Sequence, residues 1–232
     1  MTNSEGVAVL HSYFEQSRDM LKLLAAEFVE NSDAALDAAL SNLDEIVPGM
    51  PYLDKPQYPV ADAMFICASV LSLYIHLRHQ GVDVHKYGAR YVELSKMRPL
   101  PEEEAEGEED MGEMLAAEKM HPGEFDFEIV QGDGKTFDFG YNVKSCAICH
   151  VFSQHDAMDL VPYMCAFDDV ASDLGDMGLR RTGTIAVGAS HCDFRYKKGR
   201  EPQHLAEVYP EKIRLLADDK PLYYETHPLV ED

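Results

Sequence analysis

Three consecutive segments, FDFEIVQ (125–131), GDG (132–134) and KTFDFGYNVKS (135–145), decide the fold class of this chain. In the first and third segments apolar and polar side chains alternate, which is the periodicity of a half-buried strand. The glycine-rich segment between them favours a tight turn, so the stretch predicts a β-hairpin. LRRTGTIAVG (179–188) and HCDFRYKK (191–198) predict a second hairpin for the same reason.

Helical periodicity surrounds the two hairpins. Apolar residues recur at helical spacing over 8–30, and three further helices are predicted between residues 32 and 96, with Asn31 and Asp83 as candidate caps. Two more helices are predicted between the hairpins, at 145–155 and 157–174. Strands that arrive in pairs favour antiparallel pairing. We therefore predict an α+β fold, in which N-terminal helices precede two β-hairpins that form a four-stranded antiparallel sheet.

We expect the chain to form one domain over residues 1–232. A run of eight carboxylates, 101–113, stands out within it. This run lacks the alternating ligands of a calcium loop, so a solvated loop is favoured over a cation-binding or docking segment. The predicted parts are a helical part (1–98), an acidic mobile insertion (99–124), the cysteine-bearing sheet and helices (125–198) and a C-terminal tail (199–232).

The chain is strongly acidic. It has 20 Lys and Arg against 42 Asp and Glu, which gives a formal net charge of −22 and a pI near 4.7. This balance argues against a nucleic-acid partner, because such a surface needs basic side chains to displace counterions. It also argues against docking to an anionic membrane. Residues 179–200 are locally basic, so the expected partner is a small anionic molecule, and a homo-oligomer is compatible with the composition.

Two observations bear on the location of the protein. The first residues, MTNSEGVAVLHSYFEQ, lack the basic region and apolar stretch of a signal peptide, so we expect a cytoplasmic protein. Residues 60–77 are nearly all apolar and long enough to cross a membrane, but Asp62 and His76 interrupt them, which favours a buried core helix. In the cytoplasm the five cysteines are expected to be free thiols.

The cysteines of the second half offer several chemistries. The string CAICH, 146–150, matches a haem-attachment pattern and also a redox dithiol. Zinc is an alternative cofactor, although the chain lacks the second close pair typical of structural zinc sites. The remaining interpretation needs no metal or other cofactor and is a nucleophilic thiol. Its candidates are Cys146, Cys165 and Cys192, whereas Cys67 is expected to be a small buried side chain in an apolar helix.

Charged neighbours supply candidate partners for such a thiol. Asp168 follows Cys165 by three residues, so both lie on the same face of the predicted helix, where the carboxylate is a candidate base. Arg181 either binds a substrate carboxylate in bidentate fashion or forms a salt bridge to an acid such as Asp168, Asp169 or Asp193. The histidines close to the cysteines, each a candidate base, are His150, His155 and His191.

Three blocks of the second half, in this order, resemble one family. They run from FDFGYNVKSCAICHVF through LVPYMCAFDDVASDLG to LRRTGTIAVGASHCDFRY and lie within about residues 125–198. The features that carry the resemblance are Cys146 and the segments 162–168, 181–184 and 192–194. On these residues the chain resembles the L-2-amino-thiazoline-4-carboxylate hydrolase family.

The resemblance implies hydrolytic opening of a cyclic amino-thiazoline to an N-carbamoyl cysteine, or a related reaction on a cyclic amidine or amide. Electrostatic stabilisation of the tetrahedral adduct would then matter most. The implied catalytic residues are the thiols Cys146, Cys165 and Cys192 and the proton-transferring carboxylates Asp168 and Asp193. The candidate substrate-binding residues are Arg181, Thr184 and His150.

The layout also resembles the small-molecule-binding fold of vinyl-reductase-type and vesicle-tethering domains. That likeness supports a competing interpretation, in which the protein binds or senses a small molecule or a metal without catalysis. Likeness of fold alone does not choose between the two functions.

Overall fold

The fold is α+β, as predicted, and combines a helical part with a small antiparallel sheet. The computed structural model describes residues 3–97 and 121–215. These two ranges hold eight α-helices and one three-stranded sheet. The acidic run 101–113 and the end of the predicted tail, 216–232, lie outside the described residues.

Within the described residues, five α-helices precede the sheet. The predicted single helix over 8–30 is wrong, because the chain breaks it at Ser17. The Ser17 N–H is shared between the carbonyls of Tyr13 and Phe14, a three-centre bond that is common where a helix ends. The five helices are α1 (Asn3–Gln16), α2 (Arg18–Ala26), α3 (Ser32–Ile46), α4 (Ala61–Arg78) and α5 (Val84–Ser95).

Side-chain caps begin two of these helices at the predicted residues. Asn31 Oδ1 accepts the Ala34 N–H at 3.1 Å, at the start of α3. Asp83 Oδ1 accepts the N–H groups of His85 and Lys86 at 3.1 Å each, at the start of α5. These bonds satisfy first-turn donors that have no partner inside the helix.

Helix α4 lies at the centre of the helical core. Within the described ranges it is the one helix long and apolar enough to cross a membrane, and 72% of its 18-residue window is buried inside the protein. It contacts α1, α2, α3 and α5. A helix that is apolar on all sides and covered by other helices is typical of a domain core, as predicted for residues 60–77.

The sheet consists of β1 (Asp126–Gln131), β2 (Phe139–Ser145) and β3 (Cys192–Tyr196), in the order β1-β2-β3 with both pairs antiparallel. Strand β2 begins later than predicted, because Asp133 organises the turn before it. The Asp133 carboxylate accepts the Lys135 N–H at 2.8 Å and the Thr136 N–H at 2.7 Å. Backbone donors that bind a side chain in this way are not available to a strand.

The predicted strand at 179–188 does not form, so the four-stranded sheet and the second hairpin are not confirmed. Arg180 makes an isolated bridge to Arg195 of β3. Beyond it, Asp193 Oδ1 accepts the N–H groups of Thr182 and Gly183 at 2.8 and 3.0 Å. A side chain thereby takes the donors that a fourth strand would need. A short 3-10 helix, Ile185–Val187, follows instead.

Three short or medium helices complete the described chain: α6 (Ala147–Ser153), α7 (Val161–Leu174) and α8 (Leu205–Val208). Helices α6 and α7 confirm the two predicted between the hairpins, with narrower bounds. The buried apolar side chains form two clusters, a large one among the helices and a small one under the sheet around Val143, Leu179, Cys192 and Phe194. The candidate site lies where these two clusters meet.

Candidate functional site

Arg181 is the centre of a buried ion-pair cluster, here called the arginine cluster (Arg181, Asp168 and Asp169). The Arg181 side chain has no accessible surface. Its Nη1 donates to Asp168 Oδ2 at 2.7 Å, and its Nη2 donates to Asp169 Oδ1 at 2.5 Å. Nη2 also donates to the Cys165 carbonyl at 2.9 Å. All acceptors described for this guanidinium therefore lie on helix α7. Asp168 and Asp169 are consecutive residues, and the Cys165 carbonyl lies one turn earlier on the same helix.

The sheet covers the other side of this guanidinium. Arg181 Cζ lies 4.8 Å from the centre of the Phe194 ring, a cation–π contact. The two neighbouring carboxylates raise the pKa of Arg181 further above its usual range, against the effect of burial, so the side chain stays charged. Arg181 Nε and Thr184 Oγ1 are buried, and neither has a hydrogen-bond partner among the described residues.

Asp169 connects the arginine cluster to the C-terminal segment. One of its oxygens binds Arg181, while Oδ2 accepts the Leu205 N–H at 2.9 Å, at the start of α8. Tyr209 adds a second tie, because its hydroxyl donates to the Thr182 carbonyl at 2.6 Å. The first part of the predicted tail therefore docks against the site.

Asp168 is the accessible member of the arginine cluster. Burial raises its pKa to about 6, the negative charge of Asp169 acts in the same direction, and Arg181 opposes both. One guanidinium cannot fully balance two adjacent carboxylates in a desolvated place. The Asp168 side chain nevertheless keeps 37% of its surface accessible, in contrast to 7% for Asp169. Asp168 is therefore reached by water, and its surroundings toward the sheet are here called the crevice.

Aromatic side chains of the sheet form the facing wall of this crevice. Tyr141 and Phe194 are cross-strand partners whose rings stack with centroids 4.6 Å apart. Tyr196 lies on the same face of β3, and its hydroxyl is 3.3 Å from that of Tyr141. Burial raises the pKa of both tyrosines, and the Asp168 charge contributes in each case. Both hydroxyls therefore stay protonated, within electrostatic range of Asp168.

The three predicted thiols lie within electrostatic range of one another. Cys165, Cys146 and Cys192 interact electrostatically with one another, and Cys165 interacts most strongly with Asp168. Burial raises the pKa of Cys165 well above that of an ordinary thiol and the pKa of Cys192 to about 12. Cys67, buried in α4 as predicted, adds a fourth thiol within electrostatic range of Cys146 and Asp168. All are neutral thiols at pH 7, so none is a resting thiolate.

The sulfur atoms differ in their contacts. Cys146 caps α6, and its Sγ accepts the Cys149 N–H at 3.4 Å. Cys192 Sγ accepts the Ile185 N–H at 3.3 Å. No hydrogen bond to Cys165 Sγ is found within residues 3–97 and 121–215. Cys165 is therefore the thiol beside Asp168 that is not engaged by the backbone.

The remaining predicted residues have other settings. The substrate-clamp role of Arg181 is a poor fit, because the side chain is inaccessible and both terminal nitrogens are bonded; the alternative prediction, a salt bridge to Asp168 and Asp169, is confirmed. Asp193 holds the turn at Thr182, whose N–H and hydroxyl it accepts, and it lies on the sheet face opposite Phe194.

His150 makes its described side-chain contacts elsewhere. Its Nε2 is 2.9 Å from Gln154 Nε2, and its ring meets that of His121 edge to face with centroids 5.6 Å apart. Among the described residues, these contacts do not include Asp168 or Arg181. Within the described ranges, no group of three or more His, Cys, Asp or Glu side chains is arranged to hold a metal ion, so the zinc alternative gains no support.

Sequence reasoning missed the two tyrosine hydroxyls of the crevice. A signal for them existed, because Tyr196 shares the period-2 face of its strand with Cys192, and Tyr141 holds the corresponding place on β2. What the sequence could not supply was the register that pairs Tyr141 with Phe194 and brings Tyr196 next to it.

Comparisons with known proteins give one positive result. The family model described as L-2-amino-thiazoline-4-carboxylic acid hydrolase matches residues 76–196, more than half of the chain. The match spans α5, the whole sheet, α6 and α7, and so contains every residue of the arginine cluster and of the facing wall. A search of curated proteins and a search of solved structures give no match.

Proposed function

The chain belongs to the L-2-amino-thiazoline-4-carboxylic acid hydrolase family, and from this premise we propose that it hydrolyses a small cyclic amidine of the amino-thiazoline type. The single observation that carries the proposal is Asp168, an accessible carboxylate of raised pKa, fixed by a buried arginine beside a thiol. A base with a pKa close to the working pH is what proton transfer requires.

Cys165 is the proposed nucleophile. Because burial raises the pKa of its thiol, it needs a base, and Asp168 is one turn away on the same helix. As Sγ bonds to the ring carbon between the two nitrogens, Asp168 accepts the thiol proton and the carbon–nitrogen electron pair moves onto nitrogen, which takes a proton from solvent. The bond from this carbon to the ring sulfur then breaks, and the sulfur leaves as a thiol with the proton held by Asp168.

Water completes the reaction. It adds to the carbon now bonded to Cys165, and Asp168 accepts one of its protons. The carbon–Sγ bond then breaks as the carbon–oxygen double bond forms, the hydroxyl returns its remaining proton to solvent, and Cys165 regains its proton from Asp168. For the amino-thiazoline carboxylate the product is an N-carbamoyl cysteine, and the net change is the addition of one water. The nucleophile is regenerated, so the cycle needs no metal, redox partner or other cofactor.

Tyr196 is the proposed donor to the charge that develops at the reacting centre. Its hydroxyl is protonated, lies close to Asp168 and is oriented by Tyr141. A fixed donor in a partly desolvated crevice stabilises developing charge more strongly than water does. We propose that the substrate is a small anion and the protein cytoplasmic, with no nucleic-acid or membrane partner. We assign no residue to the substrate carboxylate, because Arg181 is already paired.

The test is ring opening of 2-amino-thiazoline-4-carboxylate, followed as loss of the ring and appearance of the N-carbamoyl product. Asp168→Asn should lower kcat by on the order of 10²–10⁴-fold. Asp173→Asn is the matched control on the same helix, since the Asp173 carboxylate bonds only to the half-buried His204 among the described contacts, and it should retain activity.

Cys165→Ala tests the nucleophile and should abolish the covalent intermediate, which mass spectrometry would detect on Cys165 in the wild type. Cys67→Ala is its control, a buried thiol of α4. Full turnover by Cys165→Ala would show that water attacks directly. Tight binding of the compound with no turnover by any variant or by the wild type would instead support the binding module as the second candidate function.

A further inference from the structure

Cys146 and Cys149 form a dithiol that the proposed reaction does not use. They lie three residues apart at the start of α6, and both keep partial exposure. The Cys149 N–H donates to Cys146 Sγ at 3.4 Å. All five cysteines of the chain are free. The two sulfur atoms are therefore neighbours without being bonded to each other.

We propose that Cys146 and Cys149 form a reversible disulfide. Its formation depends on the surrounding thiol redox state and alters the crevice beside Asp168. Cys146 is the N-cap of α6 and Cys149 is its third residue, so the pair forms a Cys-x-x-Cys motif at a helix start, the arrangement found in redox-active dithiols. Cys149 is the proposed partner because its backbone N–H already binds Cys146 Sγ.

A low-molecular-weight disulfide is the oxidant in the proposed thiol–disulfide exchange. The Cys149 thiolate attacks one sulfur of that disulfide and expels a small thiolate, which leaves a mixed disulfide on Cys149. Cys146 then loses its proton to the released thiolate, attacks Cys149 Sγ and expels the second small thiol. Two protein thiols are oxidised and one small disulfide is reduced to two thiols. Excess small thiol reverses both steps.

The order of attack follows from the settings of the two thiols. The neighbouring Cys149 thiol and burial raise the pKa of the Cys146 thiol well above that of an ordinary thiol. Cys146 is thus a poor first attacker and the natural resolving thiol, because it needs only a neighbouring sulfur as target. Cys146 interacts electrostatically with Cys165, so converting its thiol to a disulfide changes the surroundings of the proposed nucleophile, and this is the proposed route by which the disulfide affects the site.

Oxidised glutathione added to the reduced full-length chain tests the dithiol directly. After trapping of free thiols with N-ethylmaleimide, peptide mass spectrometry should show a Cys146–Cys149 bond that dithiothreitol removes. Cys149→Ser should show no such bond, whereas Cys165→Ser should form it normally. A mixed disulfide with glutathione that persists on the wild type, or a bond from Cys146 to another cysteine, would overturn the proposal.

The effect on activity rests on the proposed function and is read separately. Oxidised wild type should lose most of its ring-opening activity and regain it on reduction, while Cys149→Ser should keep its activity under the same oxidant. A disulfide that forms with activity unchanged would overturn the coupling to the site. If the reduced wild type opens no ring at all, the proposed reaction fails, and the mass-spectrometric result on the disulfide stands by itself.

Discussion

Arg181 Nη1 lies 2.7 Å from Asp168 Oδ2, so a guanidinium with no accessible surface holds a carboxylate that a ligand can reach. The arrangement separates two tasks. The buried cation fixes position, and the accessible anion is free to exchange a proton with whatever enters the crevice. Each of the following predictions addresses one part of this arrangement.

The acid limb of the pH–rate profile should report Asp168. Its pKa is raised to about 6, so below that pH the carboxyl is protonated and cannot act as a base, while above it the base form dominates. We therefore expect kcat/KM to rise as the pH increases through about 6. The residual activity of Asp168→Asn should lack this limb. A limb in the wild type near pH 4, the ordinary range of a carboxyl group, would contradict the assignment.

Arg181→Met should destabilise the fold through the charges it leaves behind. Asp168 and Asp169 would then face each other with no cation between them, and Asp169 is almost fully buried. Removing one partner of a buried ion pair costs about 3–5 kcal/mol, and we expect the lower end because water partly screens Asp168. Urea unfolding gives the free energy directly.

Arg180→Met is the matched control for this change. Arg180 is the preceding residue and is exposed, and its Nε donates to the Glu201 carbonyl at 3.0 Å rather than to a carboxylate. Its loss should change the unfolding free energy by about 1 kcal/mol or less. Equal destabilisation by the two variants would mean that the buried ion pairs are not what distinguishes Arg181.

Tyr196→Phe should lower kcat with little change in KM. The substitution keeps the ring and removes the hydroxyl beside Asp168 that Tyr141 orients. Loss of one donor to a developing charge costs on the order of 10²-fold in kcat. Tyr87→Phe also removes a buried hydroxyl, which bonds to the Val70 carbonyl at 2.7 Å, and should lower thermal stability while leaving kcat unchanged. A kcat loss common to both variants would argue for a general structural effect.

Gly88→Ala should destabilise the protein although it improves helix propensity. Gly88 lies within α5, and a Cβ there would overlap the ring of Tyr163, which is fully buried on α7. Propensity alone predicts a gain of about 1 kcal/mol, whereas overpacking costs about 1–3 kcal/mol. The sign of the change in denaturation midpoint decides between these effects. A rise in midpoint would show that Tyr163 moves aside without cost.

The patterns within single segments predicted much of the fold. The parts that they did not predict depend on contacts between segments. Alternation identified residues 191–198 as a strand, but the same alternation at 179–188 misled, because the Asp193 carboxylate takes the backbone donors of that segment. The periodicity of one segment cannot show that a side chain from another segment binds its backbone N–H groups in place of a neighbouring strand. The break at Ser17 was missed for a similar reason, since the apolar spacing continues across it.

The candidate site, too, was predictable where it depends on one segment and not where it depends on contacts between segments. The i, i+3 spacing of Cys165 and Asp168 placed them together, and the Arg181 salt bridge was one of two predicted outcomes. The sequence could not decide that Arg181 is inaccessible, because burial depends on Phe194 and α7 closing over it from opposite sides. His150 illustrates the converse, since it is near the cysteines in sequence and turns toward His121 in space.

The bond from Leu205 N–H to Asp169 has a consequence for biosynthesis. A ribosome synthesises α7 and Arg181 before residue 205. In the growing chain one oxygen of Asp169 would therefore bind Arg181, while the other would still bind water. The site reaches its final form only when α8 has been released and has docked. A nascent chain stalled before this residue should therefore carry all the proposed catalytic groups and still be inactive.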